Sequence, residues 1–206
     1  TSNSSGARRH QFDADSFAAI RTNVGQPIFG VEVKITDDDN KELPWDGVAF
    51  GALKVRGPWI CSSYFKLEGS SAHEEDGWFE TGDVASIDAN GNVSITDRTK
   101  DVIKSGGEWI SSIEVENCAT GHPMVAEAAV IGRIHPKWGE RPLLIVVKNG
   151  EGDVSPDELK GFLDGKIAKW WIPDDVQYIE EMPHTATGKI QKMKLREMFG
   201  DYQFPA

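Results

Sequence analysis

Lys189 stands in the stretch Thr185-Ala186-Thr187-Gly188-Lys189-Ile190, near the end of a 206-residue chain. Two other unusual stretches precede it. One is Gly77-Trp78-Phe79-Glu80-Thr81-Gly82-Asp83. The other runs from Asp97 through Arg98, Lys100, Lys104, Ser105-Gly106-Gly107 and Trp109 to Ser111. A lone Gly-Lys pair in a loop carries little information. Three such stretches in this order point to chemistry in which a carboxylate is joined to a nucleotide.

That chemistry sets clear demands. A carboxylate and an α-phosphate are both anionic and repel each other, and the pentavalent transition state concentrates still more negative charge. An ammonium brought between them stabilises that charge, most effectively once water is excluded. Lysine suits the task as a compact charge on a flexible stem, and Gly188 would let the backbone approach closely. The competing reading is a surface lysine in a Thr/Gly loop.

The other polar residues have paired readings too. Asp83 follows Gly82 in what reads as a turn, and a carboxylate so held can accept two hydrogen bonds from the vicinal diol of ribose. It can equally be an ordinary Gly-Asp turn. Arg98 could give forked hydrogen bonds to ribose or phosphate, or form a surface ion pair with Asp97 or Asp101. Lys100 and Lys104 fall on a short hinge and a strand, where each could be a solvated charge. Ser105-Gly106-Gly107 presents backbone without side-chain bulk, so a slim ligand could pass close by. It also reads as a simple hairpin turn.

The elements that must position these residues fall into two textures. From Gly30 to about residue 97 the pattern is short strands and close turns. Val31, Val33 and Ile35 alternate with polar residues, Ala52–Arg56 is a second strand, and Trp78-Phe79, Val84–Ile87 and Val93–Thr96 suggest three more. Asp88-Ala89-Asn90-Gly91-Asn92 is a hairpin turn. This part predicts a small antiparallel sheet or barrel. After Asp97, Val102-Ile103 and Trp109-Ile110 flank the glycine turn as two short strands. Ser111 caps a helix, with Glu114 completing a capping box, and the helix ends near Gly121. Ala126–Ile131 and Leu143–Val147 are apolar runs expected to be central strands. Ser155-Pro156-Asp157-Glu158 starts a second helix, buried through Leu159, Phe162 and Leu163. Val176–Ile179 is a strand. A last helix starts near Ile190, presents Leu195, Met198 and Phe199, and stops at Gly200. Strands alternating with helices predict a compact α+β domain. The expected division is residues 1–97 and 98–206. Residues 1–25 read as a polar loop or the remnant of an earlier element.

Bulk properties narrow the function. With 39% hydrophobic and 27% charged residues the chain reads as globular and water-soluble. Its formal net charge of -11 disfavours nucleic acid or an anionic membrane as the main partner. The first 97 residues carry 16 acidic against 8 basic side chains, the remainder 17 against 14. The second part is thus less hostile to an anionic ligand. It holds the cluster Lys189, Lys192, Lys194 and Arg196, whose other reading is a solvated helix face. Two cysteines, Cys61 and Cys118, make no disulfide framework, which fits a cytoplasmic setting. No apolar run is long enough to span a bilayer, and the first ten residues lack the apolar centre of a signal peptide. The absence of an initiator Met suggests a chain that starts inside a larger protein.

Taken together, these stretches resemble the carboxyl-terminal part of the AMP-forming acyl-CoA synthetases, within the adenylate-forming superfamily. The resemblance runs from about Gly25 to Phe199. It includes Gly25–Gly30, Gly77–Asp83, Asp97–Ser111, His122–Val130 and Pro183–Ile190. The Ser-Gly-Gly-Glu-Trp-Ile-Ser form, with Lys169-Trp170-Trp171-Ile172-Pro173-Asp174, is most similar to the medium- and long-chain fatty-acyl and methylmercaptopropionyl CoA ligases. The resemblance implies two half-reactions. A carboxylate and ATP with Mg2+ give an acyl-adenylate and pyrophosphate; a CoA thiol then takes the acyl group and AMP leaves. It implies that Lys189 is the adenylation lysine, that Asp83 holds the ribose hydroxyls, and that Arg98 contacts the nucleotide. Lys100 becomes the hinge position. Lys104 and Trp109 lie near the adenylate, and Ser105, Gly106 and Gly107 line the CoA path. In the family the terminal domain rotates between the two steps.

On this reading residues 1–97 are the β-rich end of a large AMP-binding domain and residues 98–206 a mobile lid. The family's phosphate loop, its magnesium-binding Glu and the acyl pocket are expected upstream of this chain. Thr1-Ser2 would lie just after that Glu. The isolated chain is therefore expected not to complete adenylation. Two alternatives remain: an adenylation domain that loads a carrier protein, and a truncated non-catalytic module that binds a nucleotide or partner. A homodimer is left open.

Overall fold

The computed structural model describes residues 24–61, 73, 76–150 and 152–205. The expected polar loop at 1–25 and the assignment of Thr1-Ser2 fall almost entirely outside them. The chain divides after Lys100 into two compact units.

The first unit contains a four-stranded antiparallel sheet of β1 (Glu32–Thr36), β2 (Phe50–Arg56), β3 (Phe79–Ile87) and β4 (Val93–Arg98), in that spatial order. Alternation puts Val33, Ile35, Leu53, Ala85, Ile87 and Val93 on one face, where they form the core. The expected turn between Ile87 and Val93 is present: Asp88 Oδ1 accepts from the backbone N–H of Asn90 and Asn92. The two strands expected at Trp78-Phe79 and Val84–Ile87 are one strand. Thr81 stitches it through Gly82, accepting from Asp83 N–H at 3.1 Å and donating to Leu53 O at 3.0 Å. Asp83 therefore lies within a strand rather than in a turn, with Gly82 at φ 75° marking the local kink.

The second unit is built on a long hairpin of β7 (Val125–His135) and β8 (Gly139–Lys148), paired antiparallel from Val125↔Lys148 to His135↔Gly139. The short hairpin β5 (Ile103–Ser105) and β6 (Glu108–Ile110) joins β8 at Ser105↔Gly139. The strand β9 (Asp175–Tyr178) pairs with β8 in parallel, a partnership that periodicity alone does not reveal. Helix α1 (Ser112–Thr120) packs on β7 and on α2 (Pro156–Leu163), and α3 (Lys192–Met198) packs on β7. Ala129, Ile131, Leu143 and Ile145 lie on one face of the hairpin with Met182 and Leu195. Ala128, Val130, Leu144 and Val146 are buried on the other. Coverage on both faces explains why these strands read as unbroken apolar runs.

Both expected helix starts are present. Ser111 Oγ accepts from Glu114 N–H and Ser155 Oγ from Glu158 N–H, each at 3.2 Å, satisfying donors that would otherwise be orphaned in the first turn. Two details differ. Leu159 and Leu163 are buried while Phe162 is only half-buried, its ring set edge-on against His122. The last helix begins at Lys192, not near Ile190, and Met198 is 52% exposed. Leu195 alone is fully buried on that helix. The tail residues Phe199, Tyr202 and Phe204 cover the remaining surface of the core. No described helix is long and apolar enough to cross a membrane.

Candidate active-site elements

In the first unit, Asp83 and Arg98 are directly opposed across β3 and β4. Arg98 Nε donates to Asp83 Oδ1 at 3.0 Å; the aspartate side chain is 25% exposed and the arginine 59%. The competing reading of Arg98 is an ion pair with Asp97 or Asp101; its partner is Asp83. Asp97 instead accepts from the backbone N–H of Arg98 at 2.7 Å. The two residues assigned separately to nucleotide contact thus form one unit. Half-burial limits water around Asp83, and Arg98 fixes one carboxylate oxygen while the other remains an acceptor. A vicinal diol is a fitting partner for such an acceptor beside a guanidinium. Lys100 lies in the turn after β4, exposed, at the division between the two units.

In the second unit, the β5–β6 register sets Lys104 opposite Trp109, and Lys104 Nζ lies 5.1 Å from the indole ring centre. That cation–π contact holds the ammonium over an aromatic face. The turn between the strands is Gly106 at φ 61° and Gly107 at φ 89°, both left-handed, as a tight two-residue hairpin requires. A Cβ on Gly106 would sit 3.1 Å from the Trp138 ring; one on Gly107 would meet nothing within 4 Å. The turn is an exposed ridge of bare backbone. Ser105, at its base, is buried instead, 5% exposed.

Lys189 sits in a second tight loop. His184 and Ile190 bridge its ends. Thr185 N–H donates to Lys189 O at 2.8 Å, Gly188 N–H to Thr185 O at 2.9 Å, and Lys189 N–H to Thr185 Oγ1 at 3.2 Å. The backbone is self-supporting, and the Lys189 side chain is exposed. Among the described residues it forms no ion pair, in contrast to Lys192 and Arg196 of the basic cluster. Lys192 Nζ lies 2.8 Å from Glu116 Oε1 and 2.6 Å from Ser112 Oγ. Arg196 Nη2 lies 2.6 Å from Asp101 Oδ1. Lys192 and Arg196 therefore tie α3 to α1 and to the start of the unit, so two of the four cluster residues are structural, while Lys194, like Lys189, is exposed.

The structure does not bring the glycine turn and Lys189 together. His184 pairs with Glu127 at 2.8 Å, which places the lysine loop beside the first residues of β7. Ser105 bridges to Gly139, which pairs with His135 at the other end. Glu127 and His135 are eight residues apart on one strand, roughly 25 Å at the rise of an extended strand, so the two loops are anchored at opposite ends of β7. Sequence reasoning passed over Trp138, Glu140 and Arg141, which hold the glycine turn. Their signal was a polar run opening an otherwise apolar strand. Among the described residues no group of His, Cys, Asp or Glu is placed to hold a metal ion.

The chain is similar in sequence and in fold to known proteins. Residues 114–189 match the AMP-binding enzyme C-terminal domain. The chain is 53% identical, over 95% of its length, to the 3-methylmercaptopropionyl-CoA ligase of Ruegeria lacuscaerulensis, covering 36% of that protein. It is 45% identical, over 98% of its length, to the medium-chain-fatty-acid–CoA ligase of Ectopseudomonas oleovorans, covering 37%. It superposes on ATP-bound MatB from Rhodopseudomonas palustris with a TM-score of 0.75 at 33% identity, across 87% of this chain and 36% of that one. With MenE from Bacillus subtilis, in complex with the acyl-adenylate intermediate OSB-AMP, the values are 0.74, 32%, 90% and 37%. The chain spans about a third of the length of the curated relatives it matches. It belongs with the C-terminal portion of the AMP-forming acid–CoA ligases and carries their AMP-binding enzyme C-terminal domain.

Proposed function

We propose that this chain supplies the hinge, the lid and part of the nucleotide-binding wall of an ATP-dependent acid–CoA ligase. In the first half-reaction a carboxylate oxygen attacks the α-phosphorus of ATP, the bond to pyrophosphate breaks, and an acyl-adenylate forms. Lys189 brings its ammonium to the charge developing there. Asp83, held by Arg98, accepts from the ribose hydroxyls, and the remaining donors of Arg98 meet the nucleotide. In the second half-reaction the CoA sulfur attacks the acyl carbon, the bond to AMP breaks, and a thioester is released. The bare backbone of Gly106 and Gly107, with Ser105 beneath, borders the path of the slim pantetheine arm. Lys104 and Trp109 lie beside the adenylate in that state, and the chain pivots about Lys100 between the two. Mg2+ and the acyl pocket belong to residues outside 1–206. The substrate class is a fatty or methylmercapto acid, by similarity to the ligases named above.

The observation that carries this reading is the placement of the two loops at opposite ends of one rigid hairpin. One reactive cleft can meet only one of them at a time, which fits a two-step reaction served by a turning lid. The test uses the ligase that includes this chain. Acid-dependent ATP–pyrophosphate exchange, followed by CoA-dependent thioester formation on a panel of fatty and methylmercapto acids, is expected. Exchange followed by acyl transfer only to a carrier protein's phosphopantetheine would give the carrier-loading alternative. No exchange with any acid would leave a binding module.

A further inference from the structure

Arg141 lies near the start of β8 with its side chain only 12% exposed, and each of its nitrogens is engaged. Nε donates to Asp174 Oδ1 at 2.8 Å, and Nη2 lies 2.7 Å from the same oxygen. Nη1 donates to Trp170 O at 2.8 Å and to Ser105 Oγ at 3.2 Å, and Nη2 to Ile172 O at 3.1 Å. A charge this far from water is tolerated only when its donors are satisfied in this way. The outcome is a brace with three arms. One reaches the base of the glycine turn, one the 3-10 turn Lys169–Trp171, and one the aspartate that closes that segment.

The neighbours of Arg141 act on the same turn. Gly106 N–H donates to Trp138 O at 2.8 Å, Ser105 bridges to Gly139, and Lys104 N–H donates to Glu140 Oε2 at 3.1 Å. Four consecutive residues thus hold one hairpin tip. The tip needs holding from outside, because two glycines give it no side chains with which to pack. Trp138, Gly139 and Glu140 fix the tip to its own sheet. Arg141 alone in this set also ties it to residues 170–174.

We propose that Arg141 is a positioning residue for the thioester-forming half-reaction. It sets the height and tilt of the Ser105-Gly106-Gly107 turn against the Trp170-Trp171 segment. This rests on the reading of that turn as the border of the CoA path. Adenylation uses Lys189, at the other end of the hairpin, so the effect should be confined to the second step. A displacement of about 1 Å in a positioned group costs on the order of a hundredfold in rate.

The experiment compares Arg141→Lys and Ser105→Ala with wild type in the ligase that includes this chain. Lysine keeps the charge opposite Asp174 but cannot bridge three partners. The alanine variant removes the Ser105 arm, together with the Ser105 hydroxyl at the border of the CoA path, and leaves the Asp174 pair intact. ATP–pyrophosphate exchange reports the first step and, at the same time, a correctly folded lid. Thioester formation from accumulated adenylate, as a function of CoA concentration, reports the second. For Arg141→Lys the expected result is exchange within about twofold of wild type, with the second step slowed about tenfold or more and a higher KM for CoA. Ser105→Ala should move in the same direction by a smaller factor. An unchanged second step in Arg141→Lys overturns the proposal, and so does an equal loss of both steps, which marks a purely structural role. A wild-type enzyme that exchanges pyrophosphate but forms no CoA thioester overturns the functional reading and this proposal with it.

Discussion

Replacing Lys189 by alanine separates catalysis from folding. The side chain is exposed, and the loop around it is closed by hydrogen bonds from Thr185 and Gly188 that do not involve the ammonium. The substitution removes no buried contact, so unfolding free energy should stay within about 0.5 kcal/mol of wild type. The catalytic loss is of another size. An ammonium about 4 Å from a phosphoryl oxygen contributes about 4 kcal/mol at an effective dielectric near 20. Removing one group that stabilises transition-state charge typically costs about 10²–10³ in rate, or about 3–4 kcal/mol. The two scales agree, so acid-dependent ATP–pyrophosphate exchange should fall by that factor. Thioester formation from preformed adenylate should change by less than about threefold, since anchoring at the opposite end of the hairpin keeps Lys189 away from the acyl carbon while the glycine turn is engaged. Exchange within threefold of wild type, in a protein of unchanged stability, would refute the assignment. An equal loss in both half-reactions would refute the separation of the two loops by function.

Two predictions concern stability. Gly106→Ala and Gly107→Ala each force a non-glycine residue into the left-handed region, at a cost of about 1–2 kcal/mol. Only Gly106→Ala also presses the Trp138 ring, at 3.1 Å, so urea denaturation should show it to be the more destabilising of the two; equal losses would remove that contact from the account. The second concerns Tyr202, whose hydroxyl donates to Asp175 Oδ2. Burial, and then that hydrogen bond, push the phenol up from its ordinary value to about 12. A folded-state pKa above the unfolded one contributes stability that is complete below about pH 10. That stability drains away as pH rises towards 12. Tyr202→Phe should therefore be less stable than wild type at pH 8, with the difference shrinking by pH 11.5. A difference independent of pH over that range would show that the hydroxyl is not the source.

The legible parts of the fold are those governed by local chemistry. Ser111 and Ser155 each cap a helix through a residue three positions on, and the Asp88–Asn92 turn closes on its own carboxylate. The glycine hairpin at 103–110 follows from two glycines between short apolar pairs. What stayed hidden depends on partners far away in sequence. Gly82 before Asp83 suggests a turn, yet Thr81 reaches back to Leu53 and keeps the strand running. The parallel pairing of β9 with β8 leaves no mark on the periodicity of either segment. Lys192 and Arg196 look like a field of positive charge until Glu116 and Asp101 are seen opposite them. The pairing of Asp83 with Arg98 is the same kind of fact: both residues stand out in the sequence, but only the register of β3 and β4 makes them direct partners.

The distance between the lysine loop and the glycine turn cannot be closed by flexing the domain. The two lie at the ends of a hairpin paired from Val125 to His135, with residues 128–131 and 143–146 buried on both faces. Shortening such a rod by several ångströms would break ladder hydrogen bonds and open the core, and close-packed interiors resist far smaller changes. A loop motion on one side is also insufficient. Lys189 is tied through His184 to Glu127 and through Lys192 to Glu116, and the glycine turn is tied through Ser105 to Arg141. If both loops serve one reactive cleft, as proposed, the unit must turn as a body, with the backbone change absorbed outside the hairpin. The segment from Arg98 to Asp101, where the chain divides, is where such a turn would take place. A proline at Lys100 fixes φ near −65° while leaving both loops untouched. It should therefore slow the alternation between half-reactions more than either half-reaction measured alone. Overall turnover that tracks the slower isolated step in that variant would place the pivot elsewhere.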